Sequence, residues 1–136
     1  MVQKEVAEEI AAIPGKMSLL SLGIQLYGQP EIVKSVPSEC FYPEPAVDSA
    51  LLKILPHKTS PVDIMDMERF FSFVKAGFSA ARKQLANSLS NGLGVSKREV
   101  QELLDEAGIS ASRRAETLTL EEWAHLWRIC EEGKLP

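Results

Sequence analysis

Prolines divide this chain more sharply than any other feature. Seven of the eight lie between Pro14 and Pro61, and the eighth is the last residue, Pro136. Proline fixes φ and removes a backbone donor, so it interrupts helices and the centres of sheets. The first part therefore reads as short elements separated by turns, and the second as continuous helix. The fold class this predicts is α/β followed by all-α, with the border near residue 60.

Within the first part, Met1–Val6 is too short to classify by periodicity. Pro14-Gly15 makes a turn, and Ser18 is placed to cap a short amphipathic helix over 19–27, with Leu19, Leu20, Gly23, Ile24 and Tyr27 on one face. Residues 31–36 are β-branched enough for a strand, and 47–55 fit a largely buried strand closed by Pro56.

Three helices are predicted in the second part. The first spans about 66–89, with an apolar stripe of Phe70, Phe71, Val74, Phe78, Ala81, Leu85 and Leu89, and Asn91-Gly92 as its left-handed stop. Ser96-Lys97-Arg98-Glu99 is a capping box that opens the second, which ends before Gly108. Thr119-Leu120-Glu121-Glu122 is another; it opens the last helix, with Trp123, Leu126, Trp127 and Cys130 inward and Gly133 at its end.

With 45% hydrophobic and 25% charged residues in 136, the chain can bury a core, which rules out wholesale disorder. No run of 18 apolar residues exists, and the N-terminus carries acidic residues where an export signal needs an apolar stretch. Cys40 and Cys130 lie far apart without metal-ligand spacing, so two reduced thiols in a cytoplasmic protein are expected. His57 and His125 have no local partners and read as structural or surface residues. Gly92-Leu93-Gly94 follows a helix rather than a strand, so it reads as helix termination and not as a cofactor loop.

Charge is more informative. The net charge is −4, yet from Arg69 to Arg98 the chain carries Arg69, Lys75, Arg82, Lys83, Lys97 and Arg98 with no acidic residue. Lys75 and Arg82, seven apart, fall on one helical face with Lys83 beside them, and Arg113-Arg114 adds a second basic pair. Such a face binds phosphates with salt-dependent affinity, although a solvated helix face has the same composition. The segment Phe41-Tyr42-Pro43-Glu44-Pro45 precedes a strand with two rings held by two prolines. A ring fixed in this way either stacks on a flat ligand such as a nucleobase or plugs the sheet edge.

Four ordered segments resemble those of the small-subunit ribosomal RNA adenine dimethyltransferases. Phe41–Ala50 (FYPEPAVDSA) is similar to that family's F-x-P-x-P-x-V-D-S-A segment, and Met1–Ala7 (MVQKEVA) to its M-V-Q-K-E-V-A strand. Phe78–Asn87 (FSAARKQLAN) resembles its F-x-x-R-R-K-x-L-x-N helix, and Arg114–Leu118 (RAETL) its R-A-E-x-L entry to the final helix.

The resemblance implies an S-adenosyl-L-methionine-dependent enzyme that dimethylates N6 of two adjacent adenines near the 3′ end of small-subunit rRNA. It also implies a Rossmann-like methyltransferase domain followed by a small helical domain. On that basis residues 1–60 are the C-terminal strands of the methyltransferase sheet and residues 61–136 a three-helix domain. Phe41 is expected to stack on the flipped-out target adenine, replacing stacking lost from the RNA. Lys75, Arg82, Lys83, Arg113 and Arg114 are expected to face RNA, with the rRNA or the immature small subunit as partner.

The family's cofactor loop and its N-L-P-Y motif have no counterpart here, so no cofactor-binding residue is assigned and the chain alone is expected to be inactive. The chain thus resembles the C-terminal half of a longer enzyme. Ala81 stands at the first arginine of the basic helix and Ala46 at a usual lysine, changes that weaken phosphate contact. A non-catalytic RNA-binding or ribosome-assembly module is the alternative. Sheet edges and apolar faces left open by the shortened sheet invite self-association.

Overall fold

The computed structural model describes residues 1–132; Gly133, expected to end the last helix, lies outside the described residues. In chain order the elements are β1 (Val2–Gln3), α1 (Lys4–Ile10), α2 (Leu19–Gln25), β2 (Gly28–Val36), β3 (Ser49–Pro56), α3 (Met67–Gly77), α4 (Leu85–Leu93), α5 (Lys97–Ala107) and α6 (Leu120–Glu132). Short 3-10 turns occupy Ser38–Cys40 and Ala115–Thr117. Among the described residues no helix is long and apolar enough to cross a membrane.

The strands form one antiparallel sheet in the order β1-β3-β2. β2 pairs with β3 from Gly28↔Pro56 to Val36↔Ser49, and the register skips at Val33. The segment resembling a strand at Met1–Ala7 is a strand only at Val2–Gln3 and then turns into α1. The Lys4 N–H donates to the Asp48 carbonyl at 3.0 Å, which ends the ladder, and helical spacing then buries Ala7 and Ile10 together. β3 is not largely buried: Ala50 is, but Leu51, Ile54 and Leu55 are exposed.

Helix starts follow their local signals. The Ser18 Oγ accepts from the Ser21 N–H at 3.2 Å, and Ser21 Oγ from the Ser18 N–H at 2.8 Å. Thr119 and Glu122 are reciprocally bonded at 3.0 Å each, and Ser96 Oγ accepts from Glu99 N–H at 3.2 Å. The buried side of α2 is Ser21, Leu22 and Leu26 rather than the expected face, of which Leu20 and Tyr27 are exposed.

Among the described residues the helical part holds four α-helices where three were expected. The single helix over 66–89 is broken: α3 stops at Gly77 and α4 begins at Leu85. The Gly77 carbonyl, which a continuing helix would pair with the next turn, is taken by the Ser88 hydroxyl instead. The Phe78 N–H closes back onto Val74 and Lys75 at 3.2 and 3.1 Å. Asn91-Gly92 is not the stop. α4 runs on to Leu93, and Gly94 at φ 69° provides the left-handed residue. Gly92 lies against the Ala76 backbone, where any Cβ would collide, so its small size lets α3 and α4 approach.

The core is built on aromatic rings of α3 and α6. Phe73 meets Trp123 edge-on at 6.2 Å and Trp127 at 5.4 Å, with Phe70 and Phe78 flanking. Full burial of each such side chain contributes about 1.5–3 kcal/mol. Trp123, Leu126, Trp127 and Cys130 all point inward as the periodicity of α6 requires, and Met17, Leu22 and Leu26 join the same core from the proline-rich part. A backbone strap fixes that junction, with the Gly15 and Met17 N–H groups both donating to the Glu116 carbonyl at 2.9 and 3.1 Å.

Candidate nucleic-acid interface

Residues 78–84, between α3 and α4, carry Arg82 and Lys83, both exposed. Lys75 is exposed in the last turn of α3, so Lys75, Arg82 and Lys83 do not share one helical face as expected; the pair sits in a turn past the helix end. That turn is held from within. Ser88 Oγ, fully buried in α4, accepts from the Ala80 N–H at 3.1 Å, and the Ala80 carbonyl accepts from the Lys83 N–H at 2.8 Å. Ser79 Oγ donates to the Ser88 carbonyl at 3.0 Å.

The second basic pair is brought to the same place. The first N–H groups of a helix have no intrahelical partner. Those of α4 are met by the loop before α6, with Leu85 N–H donating to the Arg113 carbonyl at 2.6 Å and Ala86 N–H to the Ala111 carbonyl at 3.5 Å. Arg82-Lys83 and Arg113-Arg114, thirty residues apart, thus flank one start of helix α4.

The two arginines of the second pair differ. Arg113 is half-buried and makes a two-pronged ion pair with Glu122, with Nη2 donating to Oε1 at 3.0 Å and also to the Thr117 carbonyl at 2.7 Å. The hydrogen bond to Glu122 raises the Arg113 pKa, and the same bond lowers that of Glu122 despite partial burial. These donors are spent inside the protein, whereas Arg114 is exposed. Glu122 was legible only as a helix cap; its ionic partner, nine residues earlier, left no sequence signal, and neither did Ser88.

Phe41 occupies the connection between β2 and β3, whose ends are closed by the Val36↔Ser49 pair. Its N–H donates to the Ser38 carbonyl at 3.2 Å, the Ser38 N–H donates to Asp48 Oδ1 at 2.9 Å, and Ser38 Oγ donates to Glu44 Oε1 at 3.1 Å. Phe41 is half-buried, Tyr42 projects fully into solvent, and the Tyr42–Pro43 peptide is cis. No hydrogen bond or ion pair among the described residues joins this loop to the basic turn. His57 Nε2 lies 2.9 Å from the Gln25 carbonyl, His125 is exposed, and both cysteines are free, with burial raising the Cys130 pKa.

The described residues do not fit a dinucleotide-like or nucleoside cofactor. Such groups sit at the carboxyl ends of parallel strands, over a glycine turn leading into a helix. Every strand pair described here is antiparallel, and of the positive-φ glycines Gly94 and Gly108 end helices while Gly15 lies in the strap before α2. Among the described residues no group of three or more metal-ligating side chains occurs.

A family model described as ribosomal RNA adenine dimethylase matches residues 1–131. The chain belongs to the ribosomal RNA adenine dimethylase family. A ribosomal RNA small subunit methyltransferase A from Dehalococcoides mccartyi is 49% identical over 126 residues, covering 93% of this chain and 43% of that protein. One of the same name from Lachnoclostridium phytofermentans is 40% identical, covering 97% of this chain and 47% of its own length. The chain therefore spans somewhat less than half of these relatives. Among solved structures, the 23S rRNA methyltransferase ErmE superposes with a TM-score of 0.66 at 25% identity over 95% of this chain and 52% of that one. A dimethyladenosine transferase from Plasmodium falciparum shares the fold with a TM-score of 0.79 at 20% identity, over 98% of this chain and 56% of its own.

Proposed function

We propose that this chain is the C-terminal, RNA-facing part of an S-adenosyl-L-methionine-dependent rRNA adenine N6,N6-dimethyltransferase acting on adjacent adenines of small-subunit rRNA in the cytoplasm. Residues 1–60 contribute to its Rossmann-like domain and 61–136 form a helical domain that grips RNA. The carrying observation is the convergence of Arg82-Lys83 with Arg114 at the start of α4, through the Leu85 N–H bond to Arg113. Cations carried on a backbone that is already fixed need no backbone ordering on meeting phosphates, and their contacts release counterions. Lys75, exposed in the last turn of α3, is a further RNA contact in this reading, and Arg113 contributes by fixing the backbone that carries Arg114.

Phe41 is the stacking ring for the target adenine. Its loop is braced at Ser38 by Asp48 and Glu44, which supports the role because a pre-placed ring offsets lost base stacking at small entropic cost. Adenine N6 is a weak nucleophile, its lone pair being conjugated into the ring. One aromatic face without hydrogen-bond acceptors for the amine and without a methyl-donor pocket does not lower that barrier. Activity therefore belongs to a protein that includes the rest of the methyltransferase domain. The same lack of a fitting cofactor site favours, as a second reading, a non-catalytic RNA-binding or ribosome-assembly role for this chain by itself.

The deciding experiment measures transfer of labelled methyl from S-adenosyl-L-methionine to immature small subunits, with this chain alone and with a full-length relative, alongside RNA binding by the chain. Binding without transfer by the chain, and transfer by the relative that is lost when its phenylalanine matching Phe41 becomes alanine, is expected. Transfer by the chain alone would overturn the assignment of activity to a longer protein. Absence of RNA binding would overturn the RNA-facing role.

A further inference from the structure

We propose that Ser88 is a positioning residue for RNA binding, acting through the turn that carries Arg82 and Lys83; the inference rests on those two residues being RNA contacts. Ser88 is one of two fully buried polar residues among those described, the other being Ser21 in α2. Serine is a neutral-to-poor choice for a helix interior. Its hydroxyl here serves residues outside its own helix, donating to the Gly77 carbonyl and accepting from the Ala80 N–H at 3.1 Å.

The bonds follow one another along the turn. Ser88 Oγ fixes the Ala80 amide, and the Ala80 carbonyl holds the Lys83 N–H at 2.8 Å. Arg82 lies between these bonded positions. The Ser88 carbonyl accepts the Ser79 hydroxyl at 3.0 Å, tying the start of the turn to the same helix. At its other end, Leu85 N–H is bonded to the Arg113 carbonyl. A seven-residue turn with exposed basic side chains would otherwise sample many backbone states, and ordering it on contact with RNA would cost binding energy. Ser88 moves that ordering into the folding of the protein. Removing its hydroxyl leaves the Gly77 carbonyl and Ala80 amide without this partner, so the turn loosens while every cation remains.

The test uses the full chain and a fluorescently labelled hairpin from the 3′ end of small-subunit rRNA, titrated at several salt concentrations. Ser88→Ala is expected to weaken binding about fivefold, the loss corresponding to one ordinary hydrogen bond. Ser88→Cys, which keeps a weaker donor and acceptor on a larger atom, gives a smaller loss and serves if Ser88→Ala does not fold. Ser21→Ala, which removes a comparably buried, hydrogen-bonded hydroxyl away from the turn, lowers stability and leaves RNA affinity unchanged.

The separating measurement is a cycle. In an Arg82→Ala/Lys83→Ala background, the Ser88 substitution should have no further effect on RNA affinity. If Arg82→Ala/Lys83→Ala alone leaves affinity unchanged, the RNA-contact reading fails and the inference with it. Weakened binding in that double variant, but undiminished binding in both Ser88 variants, overturns the positioning role and leaves the reading standing. An equal Ser88 effect in both backgrounds, or a matching loss in Ser21→Ala, also overturns it, because the effect would then be one of general stability.

Discussion

The Leu85 amide donates to the Arg113 carbonyl at 2.6 Å, and this one bond joins two basic segments that the sequence keeps thirty residues apart. It also caps α4 without a side chain, since Gln84 at the N-cap position makes no side-chain bond to the helix. The helix start and the basic surface are consequently one structural unit, and a change in the backbone of either should be felt by the other.

Replacing Arg82 and Lys83 together by alanine should weaken binding to small-subunit rRNA and reduce the slope of log affinity against log salt by about 1 to 2, as expected for two lost phosphate contacts. Fold stability should change by less than about 0.5 kcal/mol, because both side chains are exposed and unpaired among the described residues. Salt-dependent fluorescence titration checks the first quantity and urea denaturation the second.

Replacing Glu122 by glutamine removes the ion pair with Arg113 and weakens the cap on Thr119, at a cost of about 1–2 kcal/mol. The folded Glu122 pKa lies below its ordinary value, the hydrogen bond from Arg113 being the main cause. The stability it contributes is therefore fully present above the unfolded value, about 4.3, and is lost as pH falls through the lower folded value. Urea midpoints of the unmodified chain and Glu122→Gln should differ at pH 7 and converge as the pH falls below 4. A constant gap would contradict the assignment.

Gly77→Ala should destabilise the chain by about 1–3 kcal/mol, since a Cβ there enters the Trp123 ring at the centre of the aromatic core. Gly15→Ala meets no neighbouring atom, but φ 108° penalises it through the backbone alone, so its loss should be measurable without any change in tryptophan fluorescence. Thermal melts with fluorescence of the native states distinguish the two.

Ile32, Val33, Leu51, Ile54 and Leu55 leave apolar surface on the β2–β3 ribbon, and β1 and β2 are the outer strands of the described sheet. The chain alone should self-associate at tens of micromolar, and Leu51→Lys/Leu55→Lys should shift it toward monomer. A monomeric unmodified chain in sedimentation velocity would refute this.

What the sequence by itself determined is local: helix starts at Ser18, Ser96 and Thr119, the inward face of Trp123, Leu126, Trp127 and Cys130, the two longer strands, and the motifs that point to the family. Each depends on residues within a turn or two of one another, so spacing alone carries it. Tertiary structure decided the break of the long helix at 78–84: an apolar stripe continues through it, and the groups the interruption frees are met by Ser88, which reaches the Gly77 carbonyl, and by the Arg113 carbonyl, which takes the Leu85 N–H. It also moved the stop of α4 from Gly92 to Gly94, since the Ala76 backbone needs the space that Gly92 leaves. The basic residues were visible in the sequence, but their division into exposed Arg114 and internally paired Arg113 was not. That division follows from Glu122, which only the return of the chain into α6 brings beside Arg113.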